Sequence, residues 1–259
     1  MKKLFILISF VLAGMTASFA QDDMQADFSS VCSSGQVLYY KIIDYGEVNV
    51  WYQDQYPEML GGHIIVPRNV KYDGQNFVVT GVADGAFANC IRIQGVELPT
   101  TMFFIGDQAF YHCTDLRVIL MPETLTSIGE SAFEGCTALV DVVMPNSLIE
   151  LGAYAFKDCS NVRHFVISHS LPIIPEGAFL NCKSVTDYLI PASVTTLGCK
   201  AFDGYEKLKE VNFFGMVPPL PECDDQLSFG RDIPIYVIKP AFDTYKASYV
   251  WGQYDIRTF

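Results

Sequence analysis

The chain has 259 residues, of which 50% are hydrophobic, and a formal net charge of −12. No cluster of basic residues offsets this charge, so phosphate backbones and anionic lipid surfaces repel the chain, which excludes nucleic acid and charged membranes as expected partners. The length suits one or two compact domains or an elongated stack, and an internal repeat decides between them.

Residues 1–20 have the pattern of a secretory signal peptide. Two lysines precede an apolar run from Leu4 to Gly14, and the small residues Ser18 and Ala20 precede a polar stretch. The run is too short for a permanent membrane helix, and no cysteine follows it where a lipoprotein would be acylated. We therefore predict cleavage after Ala20 and an exported protein (secreted, periplasmic or on the cell surface) that is not inserted in the membrane.

Two segments precede the repeats. Residues 21–34 are polar and rich in Ser and Asp, which predicts a flexible lead. Residues 35–80 contain β-prone runs on both sides of Asp44-Tyr45-Gly46, a hairpin signal, and a second turn at Asp73-Gly74. They are interpreted as an N-terminal β-cap, which would cover the open end of a stack.

Residues 81–220 repeat with a period of 23. The dipeptide Ala-Phe marks each of six units, and a cysteine stands three positions after the Phe in five of them, with Tyr205 in the sixth. The dipeptides begin at Ala86, Ala109, Ala132, Ala155, Ala178 and Ala201, and the cysteines are Cys90, Cys113, Cys136, Cys159 and Cys182. One unit can be written C-x-x-L-x-x-V-x-L-P-x-x-V-x-x-I-G-x-x-A-F-x-x.

A period in the twenties with Leu, Val and Ile at these offsets is typical of a leucine-rich repeat, in which each unit is one strand and a return segment. The alternating stretch before each Pro, such as Leu116 to Met121, is the predicted strand, because Pro lacks a ladder N–H. The Ala-Phe-x-x-Cys stretch is interpreted as a helical turn on the opposite side.

The unit resembles the BspA-type leucine-rich repeats of exported proteins in Bacteroidetes and some other host-associated microbes. The run from Leu98-Pro99 to Cys113 carries the family pattern, with Met102 in place of Val. The resemblance implies an α/β repeat fold, a right-handed solenoid with a parallel β-sheet on its concave face. It also implies a surface or secreted binding protein, since some members engage host extracellular-matrix proteins.

Residues 221–259 break the register and are interpreted as a C-terminal cap. Residues 234–238 offer one more strand, and Pro240 begins a short helix expected to place Phe242, Tyr245 and Tyr249 on one side. Terminal units of a solenoid differ from the rest because they shield the last rung from water.

The cysteines divide into two kinds. The five in the repeat column are expected to form a buried stack of free thiols, and no convergent ligands indicate a metal or redox role. Cys199 and Cys223 lie outside that column, 24 residues apart, so that one rung and one residue separate them and a disulfide is within reach. They are a candidate disulfide, with the unbridged state left open, and Cys32 has no evident partner.

Residues of the strands that face away from the core form two columns. The first column holds Gly95, Val118, Asp141, His164, Asp187 and Glu210. The second column holds Glu97, Leu120, Val143, Val166, Leu189 and Asn212. We call the four consecutive apolar residues Leu120, Val143, Val166 and Leu189 the aliphatic stripe.

The first column raises the question of metal binding, because Asp141, His164 and Asp187 would lie side by side. A solvated ladder is the favoured interpretation, since parallel side chains on an open sheet do not converge as a closed metal site requires. No zinc, nucleophile or phosphate-loop motif occurs in the chain, so we expect no enzyme activity, no cofactor and no metal.

The stripe is the candidate binding site. An apolar line at outward strand positions is unusual, and Asp141, His164, Asp187 and Glu210 beside it would form a mostly acidic rim suited to a basic partner. The expected partner is an extracellular or envelope protein, with a glycan as a further possibility. Two alternatives stay open: a self-assembling envelope component without a foreign ligand, and a stripe that only favours strand formation or is covered by a loop of the N-terminal cap.

Overall fold

The computed structural model describes residues 25–51, 60–223, 229 and 232–259, and the predicted signal peptide lies outside this range. The N-terminal part contains β1 (Phe28–Val31), β2 (Val37–Asp44), β3 (Glu47–Val50), β4 (Gly61–Ile65), β5 (Asn69–Tyr72) and β6 (Gln75–Val82). Strands β1, β2 and β3 form an antiparallel meander, β3 pairs parallel with β6, and β5 pairs antiparallel with β6.

The flexible lead predicted over residues 21–34 is wrong for its second half. Strand β1 pairs along its whole length with β2, and Phe28 is buried between the rings of Tyr40 and Tyr72. Its polar composition misled the prediction because an edge strand alternates, and only one of its faces has to be apolar.

Each repeat contributes a long strand to one side of the stack and a two-residue strand to another. The long strands after β4 are β7 (Arg92–Glu97), β9 (Val118–Leu120), β11 (Asp141–Val143), β13 (His164–Val166), β15 (Asp187–Ile190), β17 (Glu210–Phe213), β19 (Ile235–Val237) and β20 (Ile256–Thr258). The short strands are β8 (Phe104–Ile105), β10 (Ser127–Ile128), β12 (Glu150–Leu151), β14 (Ile173–Ile174), β16 (Thr196–Leu197) and β18 (Leu220–Pro221). We call the outer surface of the long strands the long-strand face.

The strands of both sets are parallel, and successive units pair with an offset of 23 residues, except for the last short pair, β16–β18, where the offset is 24. Val96 pairs with Ile119, Val142 with Phe165, and Tyr188 with Val211. The fold class predicted from the repeat, a leucine-rich-repeat solenoid with a parallel sheet along one side and a strand cap and short-helix cap at its ends, is confirmed.

The return segments contain turns in place of the expected helical turn. In the third unit Ser131 and Gly135 have φ values of 52° and 74°, and each of the other five units has left-handed residues at the same two positions. This backbone points alternate N–H groups at the next rung, so Ser131 N–H donates to Ala153 O at 2.9 Å and Phe133 N–H to Ala155 O at 2.7 Å. The intervening N–H groups bond to the third residue back, as Glu134 N–H does to Ser131 O at 3.1 Å, so each return segment is a series of turns and no helix forms in it.

The core is a column of phenylalanines beside a column of cysteines. The rings of Phe87, Phe110, Phe133 and Phe156 are stacked with centroids 5.0, 5.1 and 5.1 Å apart, close to the strand spacing of about 4.8 Å. Four of the five buried thiols donate to the carbonyl oxygen of the column Phe one rung earlier, as Cys136 Sγ does to Phe110 O at 3.1 Å. Stacking of equivalent residues is therefore the main source of stability.

The ring spacing is largest at one step of the phenylalanine column. Phe156 and Phe179 are 6.1 Å apart because the ring of Phe165 packs between them, 5.4 Å from the first and 4.6 Å from the second. At the same step the ladder pairing between β13 and β15 is interrupted, and a second interruption lies between β9 and β11. The pair β11–β13 therefore stands as a separate two-stranded ladder in the middle of the long-strand face.

The C-terminal cap closes the far end. After β19, a 3-10 turn (Lys239–Ala241) leads into α1 (Phe242–Ala247), and Tyr245 and Trp251 are buried against Phe213. Trp251 Nε1 donates to Pro219 O at 2.9 Å. Of the three residues expected on one helix side, Phe242 and Tyr245 pack inward, whereas Tyr249 is exposed because α1 ends two residues before it.

Cys199 and Cys223 are half-buried, have their Cα atoms 5.4 Å apart and are joined as a disulfide. Their bond links the sixth unit to the beginning of the cap. Cys32 is buried in the N-terminal part, where its Sγ lies 3.1 Å from Ser34 Oγ.

Candidate functional site

The two outward columns lie side by side on the long-strand face. In the first column Asp141 pairs with His164 and Asp187 with Glu210. In the second column Glu97 pairs with Leu120, Val143 with Val166 and Leu189 with Asn212. The face also extends toward the N-terminal cap, where His63 of β4 pairs with Gly95 and Ile65 with Glu97.

The aliphatic stripe is open. The exposed fractions of Leu120, Val143, Val166 and Leu189 are 51, 60, 49 and 48%, whereas the residues between the two columns, such as Val142 and Tyr188, are almost fully buried. Nothing in the part of the chain that the structure describes covers the stripe. Asn212, which ends the second column, is itself buried, so the apolar line stops at Leu189.

The first column does not form a closed site. Asp141 and His164 are exposed neighbours, but Asp187 lies beyond the interrupted ladder and accepts a hydrogen bond from Thr186 Oγ1 at 2.8 Å. Glu210 accepts from Asn212 Nδ2 at 3.1 Å. Among the described residues, no group of three His, Cys, Asp or Glu side chains could hold a metal ion.

A basic column, which the sequence reasoning missed, borders the first column. Arg117, Arg163 and Lys209 each stand one residue before a first-column residue and are exposed, at every second rung of the stack. Among the ion pairs of the described residues none involves these three side chains. The 23-residue register already contains this column, at the position that precedes the first column. The predicted acidic rim is thus bordered in turn by basic side chains, so both signs of charge alternate along this side of the long-strand face.

A groove lies across the short strands. It has a volume of about 460 Å³ and is lined by the backbone of the repeat glycines and by the acidic side chains of Asp84, Asp107 and Glu130. Two of these carboxylates serve the fold, since Asp84 Oδ1 accepts from the Asp107 N–H at 2.9 Å and Asp107 Oδ1 from the Glu130 N–H at 2.7 Å. Ser127 also lines this groove, and its lining residues include no His or Cys.

The cysteine column offers no reactive thiol. Desolvation by burial is the largest cause that raises the pKa of Cys113, Cys136, Cys159 and Cys182 well above the ordinary thiol value, and neighbouring thiols raise the first three further. A thiol with a raised pKa is protonated at neutral pH and is a poor nucleophile. The arrangement suits packing, and its chemistry is that of a small apolar side chain.

The fold and the open sheet face define the class of protein, a leucine-rich-repeat interaction module. The pattern of the BspA type leucine rich repeat region matches residues 80–215 in six copies, more than half of the chain, so the chain belongs to that family. A search of the curated proteins found no match.

Two solved structures are similar. The first is a leucine-rich-repeat protein of T. pallidum, with a TM-score of 0.50 and 24% identity over 66% of this chain and 87% of that one. The second is a leucine-rich cell surface protein of Faecalibacterium prausnitzii, with a TM-score of 0.54 and 21% identity over 73% of this chain. This chain spans 55% of the second protein's length. At these identities the likeness concerns the fold.

Proposed function

We propose that the chain is an exported module that recognises another protein through its long-strand face, with the aliphatic stripe at the centre of the contact. One observation carries the proposal: four consecutive rungs present a half-exposed aliphatic side chain at a position that is polar or charged on either side of them. A contiguous apolar surface with a polar border is the composition of a protein interface.

The mixed border extends the argument to specificity. Basic and acidic residues alternate along the stack, in the order Arg117, Asp141, Arg163, Asp187 and Lys209. A partner must therefore present charges of both signs at the spacing of the rungs. Matching charges set orientation and exclude wrong partners more than they add affinity. A simple basic partner, which the acidic column alone would favour, fits this border less well.

The experiment measures capture of proteins from host matrix and mucus extracts by the purified protein. Val143→Lys combined with Val166→Lys should abolish capture of the bound protein and leave the melting temperature unchanged, because both side chains point away from the core. Ile149→Lys combined with Ile173→Lys is the matched control, since these residues are similarly exposed (49 and 44%) at or beside the short strands. Capture that survives in the folded stripe variant refutes the proposal.

Export is supported by the signal-peptide pattern of residues 1–20 and by the surface location named for the F. prausnitzii relative. Among the described residues there is no helix with the length and apolar character to cross a membrane.

We propose the division 1–20 signal peptide, 35–80 cap, 81–220 solenoid and 221–259 cap. Expression in an exporting bacterium should release protein that begins at Gln21, and N-terminal sequencing checks this; retention of residues 1–20 on exported protein contradicts it.

The repeat family favours binding over turnover. Leucine-rich-repeat solenoids of this family are typically binding modules, and the described residues bring no activated nucleophile into a cavity. An activity that disappears in Asp141→Ala or His164→Ala, both exposed on the long-strand face, would overturn this assignment.

A further inference from the structure

The long-strand face has an internal two-fold pattern. The stripe reads Leu120, Val143, Val166, Leu189, which is the same in both directions, and its midpoint falls inside the separate β11–β13 ladder. An interruption of the ladder flanks this pair on each side. The apolar residues and the strand pairing are thus arranged symmetrically about one point of the face.

Acidic and basic residues exchange places when the order of rungs is reversed about the same midpoint. On one side of the midpoint the two rungs carry Arg117 and Asp141; on the other side they carry Arg163 and Asp187. Reversing the order of rungs brings the rung of Asp141 to that of Arg163 and the rung of Arg117 to that of Asp187. Each acid therefore meets a base, and none of these four rungs brings two like charges together.

We propose that the long-strand face binds a second copy of this chain, related by a two-fold axis that runs parallel to the strands between Val143 and Val166. This inference rests on the proposed function, because it names the partner of the same face. In the dimer Leu120 contacts Leu189 of the second copy, and Val143 contacts Val166 of the second copy. Such an isologous contact needs a self-complementary surface, and this face has one.

The ion pairs fix the orientation. Arg163 is one residue from His164, the residue that faces Asp141 of the second copy, so its side chain has about 3.3 Å to cover along the strand. Arg117 reaches Asp187 of the second copy in the same way. The other face-to-face arrangement, with the axis along the stack, would put the first column opposite Pro122, Pro145 and Pro191 and leave both arginines without an acid.

The size of the contact sets its strength. The stripe and its charged border cover about 14 Å along the stack and about 10 Å along the strands. This is well below the roughly 800 Å² per partner of a standard stable interface, so the dimer is expected to be weak, with a Kd on the order of 100 µM. A dimer of this strength dissociates readily, so a foreign partner can replace the second copy on the face.

The test is sedimentation equilibrium of the secreted protein up to about 500 µM, a concentration above the expected Kd. Parent protein should dimerise, and Arg163→Asp or Asp141→Arg alone should weaken the dimer about 10-fold or more, because each reverses two symmetric pairs. The double variant carrying both changes should return to within about 3-fold of the parent Kd, since both pairs are rebuilt with exchanged signs. Arg163 and Asp141 are both exposed, so unchanged melting temperatures control for folding.

The same variants separate this inference from the proposed function. A foreign protein does not change its charges, so capture of a foreign protein stays weak in the double variant while the dimer returns. A parent that remains monomeric, or a double variant as weak as the single ones, overturns the dimer and leaves foreign binding standing. If the variant with Val143→Lys and Val166→Lys still dimerises and still captures the foreign protein, the long-strand face is not an interface.

Discussion

Phe133→Ala should divide the solenoid into two parts that unfold separately. Phe133 is fully buried in the middle of the phenylalanine column, 5.1 Å from the ring of Phe110 and 5.1 Å from that of Phe156. Truncation of a buried Phe costs about 3–5 kcal/mol, which includes the two ring contacts at about 0.5–1.5 kcal/mol each. The total free energy of unfolding of a protein is about 5–15 kcal/mol, so this loss is a large fraction of the stability.

This loss of free energy weakens the coupling between neighbouring rungs. In a solenoid each unit contacts only its neighbours, so a weak central step reduces the free energy that makes the two halves unfold together. Urea unfolding should then change from one transition to two. The assay compares far-UV circular dichroism, which reports the whole chain, with the fluorescence of Trp251 in a Trp51→Phe background, because Trp251 is buried in the C-terminal cap.

The control is Phe103→Ala. Phe103 is 50% exposed and stands outside the column, so its truncation should cost less than about 1 kcal/mol and preserve a single transition. Coincident circular dichroism and fluorescence curves for Phe133→Ala, with a loss similar to that of the control, would refute the view that column stacking couples the rungs.

Three further predictions concern the repeat glycines and the cysteines. Gly152→Ala should lower the unfolding free energy by about 1–3 kcal/mol, because its Cβ would lie 2.3 Å from backbone atoms of the preceding rung, whereas Gly215→Ala, with 3.3 Å, should cost less in the same urea titration. Non-reducing peptide mapping should recover Cys199 and Cys223 in one linked peptide, and reduction should lower stability by about 3 kcal/mol for a loop of this length; two unlinked peptides would exclude the bond. The cysteine column should not react with a thiol reagent at pH 8 until urea unfolds the protein, since burial raises these pKa values above the reference value that applies to the unfolded chain; rapid labelling of folded protein would contradict this burial.

The period alone was enough to predict the interior. Each residue inside a solenoid packs against its own equivalent one rung away, so identical residues recur wherever the space is closed. That constraint makes the Phe and Cys columns, the register of 23 and the outward direction of the stripe readable without coordinates. The return segments were misread because Ala-Phe-x-x-Cys has the spacing of a helical turn, and the left-handed residues that prevent it, such as Gln108 and Lys200, have no distinctive type.

Other features depended on contacts that a single column does not show. Strand β1 is ordered by the rings of Tyr40 and Tyr72, which come from other strands. The widening after Phe156 needs the ring of Phe165 to enter from the strand column, so two columns have to be read together. The basic border was missed for a similar reason, because Arg117 precedes the strand proper and only the folded face brings it beside the first column.

Outward positions follow a different rule from inward ones. An inward residue is constrained by the next rung, whereas an outward residue faces solvent or a partner, and nothing in the stack requires it to resemble its equivalent. The first column accordingly varies from Gly95 to Glu210, yet the second column keeps four aliphatic residues in sequence. Since stacking does not explain that persistence on an exposed face, we propose contact with another protein as its cause, and the reversal symmetry of the neighbouring charges as the basis of its orientation.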